Sequence, residues 1–203
     1  MSETTELEAD ERKKRDRERL QSVAVRHGAY VLAALTLWGA ADAWASATGW
    51  LLAEAVALLN AIFAGTAVAY LAHEWGHFTG ARISGAVSPV AKEPKSFFMF
   101  TFKDELNTRG QFISMSVGGP VANWSLCILL YLLLPLETWP QALLLATTFA
   151  IAISVSVFEV PVINRVLYGE DPTETVANRL KETGNVPRQV GIVGGAALWL
   201  LTI

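Results

Sequence analysis

The sequence predicts an all-α polytopic membrane protein with about five transmembrane helices and a short cytoplasmic β-strand or hairpin between the second and the third. Two observations carry this prediction. Of the 203 residues, 52% are hydrophobic and only 17% are charged, and the apolar residues come in long blocks, as they do in membrane proteins. The basic residues, in addition, are confined to alternate connections between these blocks.

Five apolar blocks define the predicted spans. A transmembrane helix needs about 20 residues to cross the hydrocarbon core, and the first four blocks are long enough. The fifth reaches only about 25 Å at a rise of about 1.5 Å per residue, so it is marginal. The predicted spans are residues 28–47, 51–76, 112–136, 140–163 and 187–203.

All 16 basic residues fall on one side of the membrane if every block crosses it. They precede the first block, lie between the second and third, or follow the fourth, whereas the connections at 46–50 and 137–140 contain none. Because cytoplasmic loops are enriched in Lys and Arg, this side is predicted to be the cytoplasm. We therefore expect a multi-pass protein of a bacterial or archaeal cell membrane, with a cytoplasmic N-terminus.

The segments outside the blocks complete the predicted organisation. Residues 1–26 are expected to form a charged cytoplasmic tail, and residues 27–203 the membrane-embedded domain. The segment SFFMFTF (96–102) is rich in aromatic residues and too short to span, which predicts a strand. Asp171 begins a capping box with proline at the first helical position, so a short cytoplasmic helix is predicted over 172–183. Nothing in the composition indicates nucleic-acid binding.

The sequence HEWGH (73–77) ends the second predicted span and matches the HExxH pattern of zinc hydrolases. Because a helix turns by about 100° per residue, His73 and His77 project from one face and can bind the same metal ion. Glu74, beside the first ligand, is placed to act as a general base. Glu and His are also costly at membrane depth, where they are usually functional. The motif therefore predicts a zinc site near the cytoplasmic face.

A second motif, GGPVAN (118–123), opens the third predicted span. Alone it is consistent with a kinked helix start, since Gly and Pro are common in transmembrane helices. Together with HEWGH it resembles the site-2 protease family of intramembrane zinc metalloproteases. The cores of that family carry HExxH on one span and a Gly-Pro-x-x-Asn stretch at the start of the next. The resemblance covers residues 60–170 approximately.

This resemblance implies an activity and a cofactor. The expected reaction is hydrolysis of peptide bonds in or near the transmembrane segments of membrane-protein substrates, with Zn²⁺ as the cofactor. By the same resemblance, Asn123 would position the substrate or polarise its carbonyl. The segment 96–102 resembles the strand with which this family is thought to hold an extended substrate, by pairing along its edge.

The third metal ligand departs from the family pattern. The family supplies an aspartate from a Leu-Asp-Gly stretch at the cytoplasmic end of a later span, but VFEVPVINR (157–165) contains no aspartate. Glu159 interrupts an apolar run, where a lone carboxylate needs a partner, and two His with one Glu form a known catalytic zinc set. We expect Glu159 to be the third ligand. Asn164 is the second choice and His27 a distant third. The alternatives for Glu159 are that it pairs with Arg165 or faces water.

The missing aspartate keeps a second function open, that of a catalytically inactive relative that binds other membrane proteins as a regulator. Substitution of Glu74 separates the two, because it would leave a regulator's cellular phenotype intact. A metal or ion conduit is a third reading, but HExxH supplies a hydrolytic base that transport does not require.

Overall fold

The computed structural model describes residues 3–92 and 99–202, with side chains from residue 10 onward. This part of the chain forms six α-helices and a 3-10 turn at Asp104–Leu106. The helices are α1 (Glu3–Thr48), α2 (Leu51–Ile83), α3 (Arg109–Leu133), α4 (Trp139–Leu167), α5 (Pro172–Thr183) and α6 (Val186–Thr202). Helices α1 to α4 are long and apolar enough to cross a membrane, which confirms the predicted helical class.

Two finer features of the prediction are not confirmed. Helix α6 has 17 residues and is shorter than the other four apolar helices, so the fifth span stays a prediction. No β-strand forms in the described ranges, where a single antiparallel bridge joins Val90 and Phe100. Residues 96–98 of the predicted strand lie outside these ranges.

The charged N-terminal segment continues directly into the first apolar helix. Helix α1 is one helix from residue 3 to residue 48, and the predicted division of the chain at residue 26 stays a prediction. On its charged half, Asp16 accepts hydrogen bonds from Arg82 at 2.6 Å and from the N–H of Val90 at 2.7 Å. Nearby, Val23 joins a buried apolar cluster with the end of α2 and the bridge segment. The charged half of α1 therefore contacts both the end of α2 and the segment around Val90.

Helices α2 and α3 cross with their backbones in contact. A Cβ added at Gly76 would overlap the carbonyl oxygen of Gly118, and one added at Gly118 would overlap the carbonyl oxygen of Gly76. One turn away, Ser114 Oγ donates to the carbonyl of Gly80 at 2.9 Å. Small residues allow this close approach, as they do between transmembrane helices. The GGPVAN motif therefore lies in the middle of α3, beside HEWGH, and not at the helix start that was predicted.

Helix α6 runs antiparallel along α4. Gly191 packs on Ser154 and Gly195 on Ala150, where added Cβ atoms would collide with α4. Near the end of α6, Trp199 donates its Nε1–H to the carbonyl of the first residue of α4 at 3.2 Å. Helix α6 therefore lies alongside the first half of α4.

Helix α5 occupies the predicted range 172–183. Asp171 accepts a hydrogen bond from the N–H of Glu174 at 2.9 Å, which confirms its capping role. At the other end, both oxygens of Glu182 accept from Arg165 of α4 at 3.0 and 3.1 Å. These hydrogen bonds hold the pKa of Glu182 below its ordinary value. The short helix is therefore fastened to the C-terminal end of α4.

Asp42 fastens α1 to the start of α4. Its buried carboxylate accepts from Thr138 Oγ1 at 2.8 Å and from Gln141 Nε2 at 3.1 Å. Asp42→Ala leaves both donors without this acceptor, so we expect it to lower the free energy of unfolding by about 2 kcal/mol. Reversible unfolding in detergent measures the loss. The exposed Glu105, changed to Ala, is the control and should match wild type, and equal losses in the two variants would contradict the prediction.

Candidate metal centre

The HEWGH motif of α2 and Glu159 of α4 meet at one point. His73 Nε2 lies 3.0 Å from Glu159 Oε1, and His77 Nε2 lies 3.4 Å from the same oxygen. The two Nε2 atoms are 2.9 Å apart. The structure therefore brings together the two predicted histidines and the first choice for the third ligand.

The other candidates for the third ligand lie elsewhere. Asn164 is exposed, and its position, five residues after Glu159, is rotated by about 140° around α4. His27 is buried, and its Nδ1 accepts a hydrogen bond from Trp75 Nε1 at 3.2 Å. Arg165, the alternative partner for Glu159, pairs with α5 instead. Of the candidates considered, Glu159 is the one that contacts both histidines.

A backbone carbonyl on α3 sets the orientation of His77. The Nδ1 of His77 lies 2.8 Å from the carbonyl oxygen of Met115. Because a carbonyl can only accept, Nδ1 must carry the hydrogen, and in the neutral ring Nε2 then has a free lone pair. This lone pair faces His73 and Glu159, as metal ligation requires.

The amide of Asn123 lies near the ring of His73. Its side chain is 1% exposed and its amide nitrogen lies 3.5 Å from His73 Nδ1, while its Oδ1 has no hydrogen-bond partner in the described structure. The O and N of an amide are assigned from their hydrogen bonds, and exchanging them points Oδ1 at Nδ1. The oxygen then accepts from Nδ1–H, and Nε2 of His73 is free to bind metal. Asn123 thus contacts an imidazole, and its predicted contact with substrate stays a prediction.

The three converging atoms fit a metal ion. Two Nε2 lone pairs and a carboxylate oxygen are all acceptors, and acceptors this close repel each other unless a proton or a metal cation lies between them. Glu159 Oε2 is also buried, with no hydrogen-bond partner among the described residues. Ligands about 2.1 Å from a tetrahedral metal ion lie about 3.4 Å apart. The separations of 2.9, 3.0 and 3.4 Å need only small adjustments to reach this value.

Gly119 of α3 lies directly against the two rings. A Cβ at this position would be 2.5 Å from Cε1 of His73 and 2.6 Å from Cε1 of His77. No side chain larger than hydrogen fits there without displacing both imidazoles. Gly119 therefore makes room for the two imidazole rings.

Glu74 follows His73 directly in the chain and is 8% exposed. A buried carboxylate beside the first histidine of HExxH is the arrangement in which the general base of a metallohydrolase is found. The role of Glu74 as a base stays a prediction.

A groove of about 630 Å³ lies between α2, α4 and α6. Its α2 wall includes Thr66 and Tyr70. The positions 66, 70, 73 and 77 follow helical spacing along one face of α2, which continues to the two histidines. The groove therefore lies along the same face of α2 as the two histidines, one turn before His73, and its lining does not include the three residues of the candidate metal centre.

Two contributors to this site were not predicted from the sequence. Met115 acts through its main-chain carbonyl, which leaves no trace in residue identity. Gly119 lies within the GGPVAN motif, and its glycine pair was a signal for close approach, but not for close approach to imidazole rings.

Comparisons of the chain with protein families, with curated proteins and with solved structures found no match. The geometry of the site and the two motifs are therefore the features from which a function can be inferred.

Proposed function

We propose that this protein is an intramembrane zinc metalloprotease that hydrolyses peptide bonds in or near transmembrane segments of membrane-protein substrates. The observation that carries the proposal is the convergence of His73, His77 and Glu159 next to Glu74, on helices long and apolar enough to cross a membrane. The resemblance of HEWGH and GGPVAN to the site-2 protease family supports the same reaction. A glutamate in place of the family's aspartate still offers a carboxylate oxygen as ligand.

The membrane arrangement follows from the basic residues. Their confinement to alternate connections supports a multi-pass protein of the cell membrane with a cytoplasmic N-terminus. In this arrangement the metal centre lies where the cytoplasmic parts of α2, α3 and α4 meet. The antiparallel packing of α6 along α4 supports a fifth crossing.

The proposed mechanism assigns separate tasks to the ligands and to Glu74. His73, His77 and Glu159 would hold a zinc ion, which when bound lowers the pKa of a coordinated water and polarises a carbonyl. Glu74 takes a proton from the attacking water while the water oxygen bonds to the carbonyl carbon of the substrate. Glu74 then gives this proton to the amide nitrogen as the C–N bond breaks. The products are a carboxylic acid and an amine, and Glu74 is again a carboxylate.

The bridge segment supports binding of the substrate in an extended form. A helical substrate must unwind locally before water can reach a peptide bond, and the freed backbone groups then need partners. Main-chain hydrogen bonds of 2.9 and 3.0 Å flank the bridge between Val90 and Phe100, and in this pattern the N–H and C=O of Phe100 point away from Val90. The N–H of Val90 already donates to Asp16. We therefore assign substrate pairing to the other edge, where the N–H and C=O of Phe100 point outward.

The metal centre is tested by measuring bound zinc in purified wild type and in Glu159→Ala. Wild type should hold about one zinc per chain, and Glu159→Ala should lose most of it, because two neutral imidazoles alone bind zinc weakly. The exposed Asn164, changed to Ala, is the matched control and should keep its zinc. Zinc retained in Glu159→Ala would remove Glu159 from the ligand set.

If wild type stays metal-free after incubation with zinc, the proposed protease activity is refuted. This result would favour the second function, that of a catalytically inactive relative that binds other membrane proteins. Such a protein should still associate with other membrane proteins, and its cellular phenotype should survive substitution of Glu74.

A further inference from the structure

The turn of α4 that carries Glu159 lacks one of its backbone hydrogen bonds. Pro161 lies inside α4, two residues after Glu159. Because proline has no N–H, the carbonyl of Val157, four residues earlier, is without its usual helical donor. An unpaired backbone group at membrane depth is costly, and other groups commonly replace the missing donor. Glu159 lies between the two residues that would have closed this turn.

Arg179 of α5 supplies a donor to this carbonyl. Its Nη2 donates to the carbonyl oxygen of Val157 at 2.7 Å, a short and charge-assisted hydrogen bond. The Arg179 side chain is 17% exposed, and its Nε is buried with no partner in the ranges that the structure describes. The guanidinium is therefore inserted against α4 and is not a solvated surface charge.

Two further contacts hold α5 where Arg179 can reach α4. Val176 packs on the buried cluster that contains Val162 and Val166, and Glu182 accepts both hydrogen bonds from Arg165. Glu182 Oε2 also lies 3.9 Å from Arg179 Nη1. The position of Arg179 is thus fixed by packing and by charge, independently of its bond to the carbonyl of α4.

We propose that Arg179 takes the place of the N–H missing at Pro161 and thereby positions Glu159 in the metal centre. Arg179 contacts the backbone of the ligand's turn and not the ligand, so it is a positioning residue. This inference rests on the metal site proposed above. It makes the affinity for metal depend on a short helix outside the four long apolar helices.

The experiment compares zinc dissociation constants of the full-length protein in detergent, by competition with a chromophoric chelator. Arg179→Ala should weaken zinc binding by about 10- to 100-fold, as loss of groups that orient metal ligands does. Arg179→Lys keeps a cationic donor and should lose clearly less. Lys181→Ala removes an exposed basic side chain of the same helix, so it should match wild type. Wild-type affinity in Arg179→Ala, or equal losses in Arg179→Ala and Lys181→Ala, would overturn the proposal.

Pro161→Ala provides a second test, because alanine restores an N–H at position 161 that can donate to the carbonyl of Val157. In this background, Arg179→Ala should change the zinc affinity by less than about threefold, since the two substitutions affect the same hydrogen bond. A full loss that persists in the double variant would overturn the proposal.

Two measurements distinguish an error in the proposed metal site from an error in the proposed role of Arg179. A wild type that binds no zinc would refute the proposed metal site, and with it the role of Arg179 towards a metal. Whether Arg179 replaces the missing N–H is tested separately, by thermal unfolding of the metal-free protein. In that measurement, Arg179→Ala should lower Tm less in the Pro161→Ala background than in wild type. Equal lowering of Tm in the two backgrounds would show that Arg179 does not replace this N–H.

Discussion

Replacing Glu74 by glutamine should abolish peptide-bond hydrolysis while leaving bound zinc in place. Glutamine has nearly the same shape as glutamate but can neither accept the proton of the attacking water nor pass it to the leaving nitrogen. Positioned proton transfer contributes about 10²- to 10⁴-fold to enzymatic rates, so we expect a loss within or above this range. The proposed ligands His73, His77 and Glu159 are unchanged in this variant, so zinc content should stay at the wild-type level.

The measurement uses the full-length protein reconstituted in vesicles with single-span membrane proteins as test substrates. Cleavage is read by gel and by mass spectrometry, and zinc by elemental analysis of the same preparations. Glu105→Gln, on the exposed 3-10 turn, is the matched control and should cleave at the wild-type rate. Cleavage by Glu74→Gln at that rate would refute the mechanism, and loss of zinc from it would show that Glu74 supports the ligands instead.

Gly119→Ala should prevent zinc binding although it adds one methyl group. The new Cβ would lie 2.5 Å from Cε1 of His73 and 2.6 Å from Cε1 of His77, whereas non-bonded carbons prefer about 3.5 to 4.0 Å. Either both rings move or the contact between α2 and α3 opens, and both changes separate the ligands. Because two ligands are displaced at once, we expect zinc affinity to fall by about 100-fold or more, and activity to fall with it.

Gly39→Ala is the matched control for this substitution. Gly39 lies in α1, and a Cβ added there meets nothing within 4 Å. Alanine is also the better helix former by about 0.5 to 1 kcal/mol. Gly39→Ala should therefore keep full zinc affinity and unfold no more easily than wild type. Full zinc affinity in Gly119→Ala would contradict the geometry described for the two histidines.

Much of the helical architecture was predictable because it depends on local patterns. The length of the apolar blocks predicted α2, α3 and α4, and the capping signal at Asp171 predicted α5. In the site, helical periodicity alone placed His73 and His77 on one face of α2. The lone carboxylate of Glu159 in an apolar run was a local signal too, since an ionisable group there needs a partner.

Structural features that depend on contacts with segments far away in the chain were predicted less accurately. A strand over 96–102 needs a second segment to pair with, and in the described residues the pairing is one bridge, anchored by Asp16 on α1. The charged residues 3–26 have little tendency to pack by themselves, but they belong to one helix with the apolar residues that follow and contact the end of α2.

The sequence by itself determined which helices form and which chemical groups lie at the depth of HEWGH. The tertiary structure decided which of these groups meet. The sequence favoured Glu159 over Asn164, but whether Glu159 reaches the two histidines depends on how α4 is rotated relative to α2, and no residue pattern within either helix specifies that rotation. It is set by the packing of the helices, in which Gly76 and Gly118 let α2 and α3 touch and Arg179 fills the gap left by proline in α4. Local periodicity acts over a few residues, whereas these contacts join residues 22 to 42 positions apart in the chain.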